Sequence, residues 1–222
     1  NKELEQDGRF LQRSSCSSVD GDTGKGWQMA ERVVLVTGAA SGIGAAVVRR
    51  LAAPGVGVLA HTRANAAALE AVATQARAAG AEVATLLGDL AEPEAGAAAV
   101  AAAMARFGRL DVVVSNAGFA DRTPVASLDD AAFARSVDAM QWGFLRLARA
   151  AMAHMHGGRI VAVSSFVAHV FRPGITTFPA SAAAKAGMEA LVRALAVELA
   201  PSGVTVNAVC PGFIRKDAGA HA

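Results

Sequence analysis

The chain has no tyrosine. No phenolic hydroxyl is therefore available anywhere as an acid, a base or a hydrogen-bond donor. Cysteine is nearly absent too: only Cys16 and Cys210 occur. Two cysteines make no disulfide framework, and their scarcity suits a reducing cytosol. No metal-ligand spacing appears among Cys and His, so no metal is expected, and Cys210 reads as a small residue ending a strand. Aromatic residues make up 5% of the chain, which leaves little for base-stacking surfaces. The formal charge of +2 gives no footprint for nucleic acid. Long apolar runs are missing as well. The alanine-rich run Ala95–Ala105 stops at Arg106 and is too short to span a bilayer. The first residues are charged and lack an apolar core, so no secretory signal is visible.

What is present is a globular composition, 53% hydrophobic and 18% charged over 222 residues. That suits one domain with a sizeable core. Residues 1–28 are polar, rich in Ser, Gly and Asp, and without period; they read as a disordered leader. Residues 29–222 read as the folded domain.

Strand and helix signals alternate through it. "RVVLVT" (Arg32–Thr37) is a continuous β-branched run, as a strand buried on both faces requires. "VGVLAH" (Val56–His61), "EVATLL" (Glu82–Leu87), "LDVVVSNAG" (Leu110–Gly118), "RIVAVSS" (Arg159–Ser165) and "VTVNAVC" (Val204–Cys210) give five more strands. Helices are expected after the first glycine turn, over Ala64–Ala79, from Pro93 to Phe107, over Leu128–Met155 and over Ala180–Leu199. Six buried strands separated by helices predict an α/β fold with a doubly wound parallel sheet, Rossmann-like and single-domain.

The turn after the first strand reads "TGAASGIG" (Thr37–Gly44). Gly38 permits the tight turn, Gly42 lets backbone N–H groups approach a pyrophosphate, and Gly44 lets the helix pack close to the strand. A strand precedes this pattern and a helix follows it, which is the context that a dinucleotide site needs.

The glycine spacing resembles the short-chain dehydrogenase/reductase family, and further pieces fall in order. "GDL" (Gly88–Leu90) is similar to the family's adenine contact. "SNAG" (Ser115–Gly118) is similar to its NNAG motif. "VSS" (Val163–Ser165) resembles the strand end that bears the catalytic serine. "SAAAK" (Ser181–Lys185) occupies the YxxxK place, and "PG" (Pro211–Gly212) matches the nicotinamide-side turn. The resemblance implies cofactor contacts at Gly38, Ser41, Gly42, Ile43, Gly44, Arg63, Asp89, Leu90, Asn116, Ala117, Gly118, Lys185, Pro211, Gly212 and Ile214.

An NAD site usually has an acid at the end of the second strand. Here the segment is "HTR" (His61–Arg63), and Arg63 suits a 2′-phosphate instead. NADP is therefore expected, with NAD as the alternative.

The implied reaction is hydride transfer between a nicotinamide and a carbonyl or alcohol. In the family a serine holds the substrate oxygen, a tyrosine moves its proton, and a lysine lowers that tyrosine's pKa while holding the ribose. Ser165 and Lys185 fill two of these roles. Ser181 stands in the tyrosine's place, and an aliphatic hydroxyl is a far weaker acid than a phenol. Met140 falls where the family has an asparagine, and Lys216 where it often has a threonine. His169, in the loop between the two serines, could deliver a proton near neutral pH. The expected function is an NAD(P)(H)-dependent oxidoreductase with non-standard proton delivery. The alternative is a catalytically impaired, nucleotide-binding interaction subunit. The resemblance also implies a small-molecule substrate and a homodimer or homotetramer, paired through the helices that carry Ala148, Ala183 and Ala194. It further implies a C-terminal helix and last strand that this sequence lacks. The composition points to the cytoplasm.

Overall fold

A computed structural model describes residues 30–214. The expected leader and Lys216 lie outside the described residues. Six strands form one parallel sheet in the order β3-β2-β1-β4-β5-β6. They are β1 (Arg32–Thr37), β2 (Val56–Thr62), β3 (Glu82–Leu87), β4 (Val112–Ser115), β5 (Gly158–Val163) and β6 (Val204–Val209). The order reverses between β1 and β4, and the crevice outside their carboxyl ends is where such sheets bind ligands.

Helices cover both faces: α1 (Gly42–Leu51), α2 (Ala66–Ala78), α3 (Ala95–Phe107), α4 (Asp130–Ser136), α5 (Gly143–Met152) and α6 (Pro179–Leu199). β1 shows why the strand had to be apolar throughout. Val33 and Leu35 enter the core beneath α3, α5 and α6, whereas Val34 and Val36 enter the core beneath α1 and α2. Each such side chain contributes about 1.5–3 kcal/mol on full burial. The sheet edge at β3 departs from the expectation of six buried strands. Its residues are exposed or half-buried, because β2 lies on one side and, among the described residues, no strand lies on the other.

Several boundaries shift for local reasons. Asn65 caps α2 by accepting the Ala68 N–H at 3.0 Å, so the helix begins at Ala66 rather than Ala64. α3 begins at Ala95, two residues past Pro93. β4 stops at Ser115 because Asn116 and Ala117 turn their N–H groups onto Thr37 Oγ1, both at 3.0 Å. The expected single helix over Leu128–Met155 is three pieces. Asp129 caps α4, a π-helical turn spans Val137–Trp142, and α5 ends at Met152. π-turns of this kind frequently occur at functional sites. This one presents Met140, 2% exposed, to the inside. Ala148 is fully buried within the protomer, whereas Ala183 and Ala194 are exposed on α6. Ala148 is thus core and not a pairing surface. Among the described residues, no helix is long and apolar enough to cross a membrane.

Candidate active site

The turn between β1 and α1 is held from a distance. Asn116 Nδ2 donates to the carbonyls of Thr37 at 3.0 Å and Gly38 at 3.2 Å, while Thr37 Oγ1 accepts from β4's continuation. A side chain at Gly44 would meet the Gly38 carbonyl at 2.2 Å, so strand and helix touch there. Gly42 is different: its φ is +53° and nothing lies within 4 Å of its missing Cβ. The turn presents bare backbone to open space at that point. Ser41 is extended and makes no side-chain cap, so the first N–H groups of α1 are left for a ligand.

In front of this turn lies a cavity of about 630 Å³. Gly38, Ser41, Ile43, Arg63, Asp89, Leu90, Asn116, Ala117 and Gly118 line it, all of them residues picked out from the sequence. Asp89 Oδ1 accepts the Ala91 N–H at 3.0 Å, which fixes the turn leaving β3. Two further lining residues have no role assigned from the sequence. Arg135 reaches the cavity from α4. His61, at the end of β2, is 1% exposed, and neither of its ring nitrogens has a hydrogen-bond partner. Burial pushes its pKa down, against the opposing pull of the Gly88 backbone and the Asp89 carboxylate. A buried, unpartnered imidazole beside a cavity is suited to a polar ligand there. The sequence signal was a polar residue closing an otherwise apolar strand.

A smaller cavity of about 190 Å³ adjoins the first, and Phe119 lines both. Ser165, Ser181, Lys185, Gly212 and Ile214 line it, with Phe166, Phe178, Phe213 and Arg122. The structure therefore brings together the three residues expected to be catalytic. Pro211 belongs to the same turn, where its carbonyl accepts the Phe166 N–H at 3.0 Å.

Each of the three has a definite state. Ser165 Oγ accepts the Val167 N–H at 3.4 Å, a long contact at the start of a 3-10 turn over Phe166–Ala168. Lys185 Nζ donates to the Val163 carbonyl at 2.6 Å. Burial lowers the Lys185 pKa to about 8, against the attraction of Cys210 and Glu189. Ser181 is 3% exposed, and the loop after β4 occupies its hydroxyl. Ser181 Oγ accepts the Asp121 N–H at 2.9 Å and lies 3.4 Å from the Phe119 carbonyl. Met140 stands close by, since a side chain on Gly118 would meet its sulfur at 3.2 Å and Lys185 Nζ at 3.3 Å. Gln141 turns instead toward Gly187 on α6. His169 lies apart from this pocket, with Nε2 2.9 Å from Glu189 Oε1.

The glycine turn, the uncapped α1 and the unpartnered His61 fit a pyridine dinucleotide.

Comparison with known proteins agrees with this geometry. A family model described as short chain dehydrogenase matches residues 32–221. The cis-4-hydroxycyclohexanecarboxylate dehydrogenase of Sinomonas cyclohexanicum is 41% identical over 192 residues, covering 85% of this chain and 75% of that protein. A short chain dehydrogenase from Burkholderia cenocepacia, solved in complex with NADP, superposes with a TM-score of 0.79 at 33% identity, covering 84% of this chain and 76% of the other. Carveol dehydrogenase from Mycobacterium avium, solved with NAD, gives 0.75 at 29% identity, covering 82% and 70%. By sequence match, sheet order and the placing of its glycine turn, the chain belongs to the short-chain dehydrogenase/reductase family of oxidoreductases.

Proposed function

We propose that the protein is an NADP(H)-dependent oxidoreductase interconverting a carbonyl compound and an alcohol, with Lys185 in place of a phenol as the proton source. The observation that carries this reading is the position of Lys185, a buried ammonium held on the Val163 carbonyl. It lines the same pocket as Ser165, and burial brings its pKa to about 8. A catalytic acid works best with a pKa near the operating pH.

The bound nicotinamide supplies or accepts the hydride. The chain's own residues do the rest. The N–H groups at the start of α1 hold the pyrophosphate. Arg63, exposed at the cavity's edge, pairs with the 2′-phosphate, and no acid stands beside it in "HTR" to favour a bare hydroxyl. Ser165 donates its hydroxyl to the substrate oxygen. Lys185 keeps one N–H on the Val163 carbonyl and has two left, enough for ribose and for a water beside Ser181. During reduction that water passes a proton to the developing alkoxide and is reprotonated by the ammonium.

Arg122 gives the pocket its specificity in this reading. Its guanidinium lies 5.7 Å from the centre of the Phe178 ring, and it has no acidic partner among the described residues. A largely apolar pocket with Lys185 inside and a second cation, Arg122, at its rim suits a small carbonyl compound bearing a carboxylate. A relative whose name carries a carboxylate supports this choice.

Homo-oligomerisation through α6 also belongs to the proposal. Ala183 and Ala194 are exposed there and Val197 is 76% exposed. A cytosolic setting suits the free Cys210 thiol.

Stopped-flow oxidation of bound NADPH across a panel of cyclic keto acids and neutral ketones tests the function. Consumption with the keto acids is expected. No consumption with any substrate leaves the second reading, a nucleotide-binding interaction subunit, which the tied-up hydroxyl of Ser181 favours.

A further inference from the structure

Three side chains that the proposed reaction does not use meet behind the β5–β6 edge. His169 follows the 3-10 turn after β5, Glu189 lies one turn beyond Lys185 on α6, and Cys210 comes directly after β6. One donor atom from each lies within 4.8 Å of the others. His169 Nε2 is 2.9 Å from Glu189 Oε1. Cys210 Sγ is 3.4 Å from that oxygen and 3.7 Å from the same ring nitrogen. Without a metal, the Cys210 thiol donates to Glu189 Oε1, and the ring nitrogen of His169 shares that oxygen. A cation seated among the three atoms takes one lone pair from each.

We propose that His169, Glu189 and Cys210 form a zinc site, with a water molecule as fourth ligand. Thiolate, imidazole and carboxylate are the donors zinc takes, and a thiolate disfavours magnesium and calcium. Tetrahedral zinc with bonds of about 2.0–2.3 Å holds its donors roughly 3.3–3.6 Å apart. The three separations here need only shifts of a few tenths of an ångström to match. The carboxylate is also aimed: Ser164 donates its hydroxyl to Glu189 Oε1, leaving the second lone pair of that oxygen for the metal. On binding, the Cys210 thiol gives its proton to the buffer and His169 enters neutral; no electron moves. The ion ties the loop after Ser165, the turn before Pro211 and the middle of α6 to one point. Residues next to all three points line the small cavity: Phe166, Lys185 and Gly212.

The test uses the full chain with Cys16→Ser, which leaves Cys210 as the sole thiol. Cobalt(II) serves as the probe, titrated without nucleotide or substrate, so the outcome is independent of the proposed reaction. The expected result is one equivalent bound per chain, with a thiolate-to-cobalt charge-transfer band that zinc bleaches by displacement. His169→Ala is expected to weaken binding by ~10-fold or more, and Cys210→Ser to abolish the band. His169 is half-exposed, so its replacement leaves the core untouched, and an unchanged Tm of the metal-free variant verifies this. A chain that shows no band with excess cobalt overturns the site. So does a band whose affinity is the same in His169→Ala.

Discussion

The two ends of the carboxyl edge contrast sharply. At the proposed cofactor end, the groups facing the cavity are largely backbone: N–H groups of α1, a left-handed Gly42, and a turn clamped by Asn116 and Thr37. At the proposed reaction end, they are single side chains, Ser165, Ser181 and Lys185. A grip built from backbone survives most substitutions: glycine-to-larger changes block it, and loss of the Asn116 or Thr37 side chain loosens its turn. A proton path built from side chains can change at one position without disturbing the fold. Ser181 illustrates this: it is buried and hydrogen-bonded, so the exchange of a phenol proposed at this position leaves the packing intact.

The sharpest way to test the contrast is Ser181→Tyr. Restoring a phenol beside Lys185 is expected to raise the single-turnover rate of NADPH oxidation by about 10²–10⁴-fold, the usual worth of a general acid. No gain in a folded, NADPH-binding variant overturns the reaction-end geometry. Arg63→Ala comes next. Loss of charge-assisted hydrogen bonds worth about 1.5–3 kcal/mol is expected to weaken NADPH roughly 10–100-fold and leave NADH unchanged, as read by calorimetry. Gly44→Ala probes the cofactor end by packing. The added methyl meets the Gly38 carbonyl and Asn116 at under 3 Å. A cost of about 1–3 kcal/mol is expected, a fall in Tm of roughly 2–12 °C by calorimetric scan.

Lys185 gives a pH signature. Reduction needs the ammonium, so kcat/KM for reduction is expected to fall as pH rises through about 8, by ~10-fold per unit where protonation limits the rate. Stability runs the other way. The folded pKa lies below the ordinary value of 10.5, so the unfolded chain binds more protons between about 8 and 10.5, and Lys185's contribution to stability rises with pH across that window. A flat rate profile overturns its role as proton source. The smallest effect belongs to Arg122→Met. A solvent-exposed ion pair is worth about 0.2–1 kcal/mol, so KM for a keto acid is expected to rise only about two- to fivefold, with neutral ketones unaffected.

The sequence read well wherever structure is local. β1 and β3 have the bounds expected of them, because a β-branched run between turn residues carries its own signal. The glycine turn was equally plain, since strand, glycines and helix are contiguous. Contacts between distant segments were not legible. The π-turn at Val137–Trp142 has no composition of its own, and the hydroxyl partners of Ser181 lie some sixty residues away. His169, Glu189 and Cys210 are spaced by twenty or more residues on three elements, so no ligand spacing could announce them. His61 could have been caught as a polar residue in a strand whose other members are buried and nearly all apolar.

The Asn116 clamp reaches across 78 residues of chain to the phosphate turn. Recombination with a homologous gene between β1 and β4 would pair one parent's turn with the other parent's latch. Offspring of such crosses will inherit nucleotide affinity from both contributors jointly, so shuffling libraries should keep those two strands in one block.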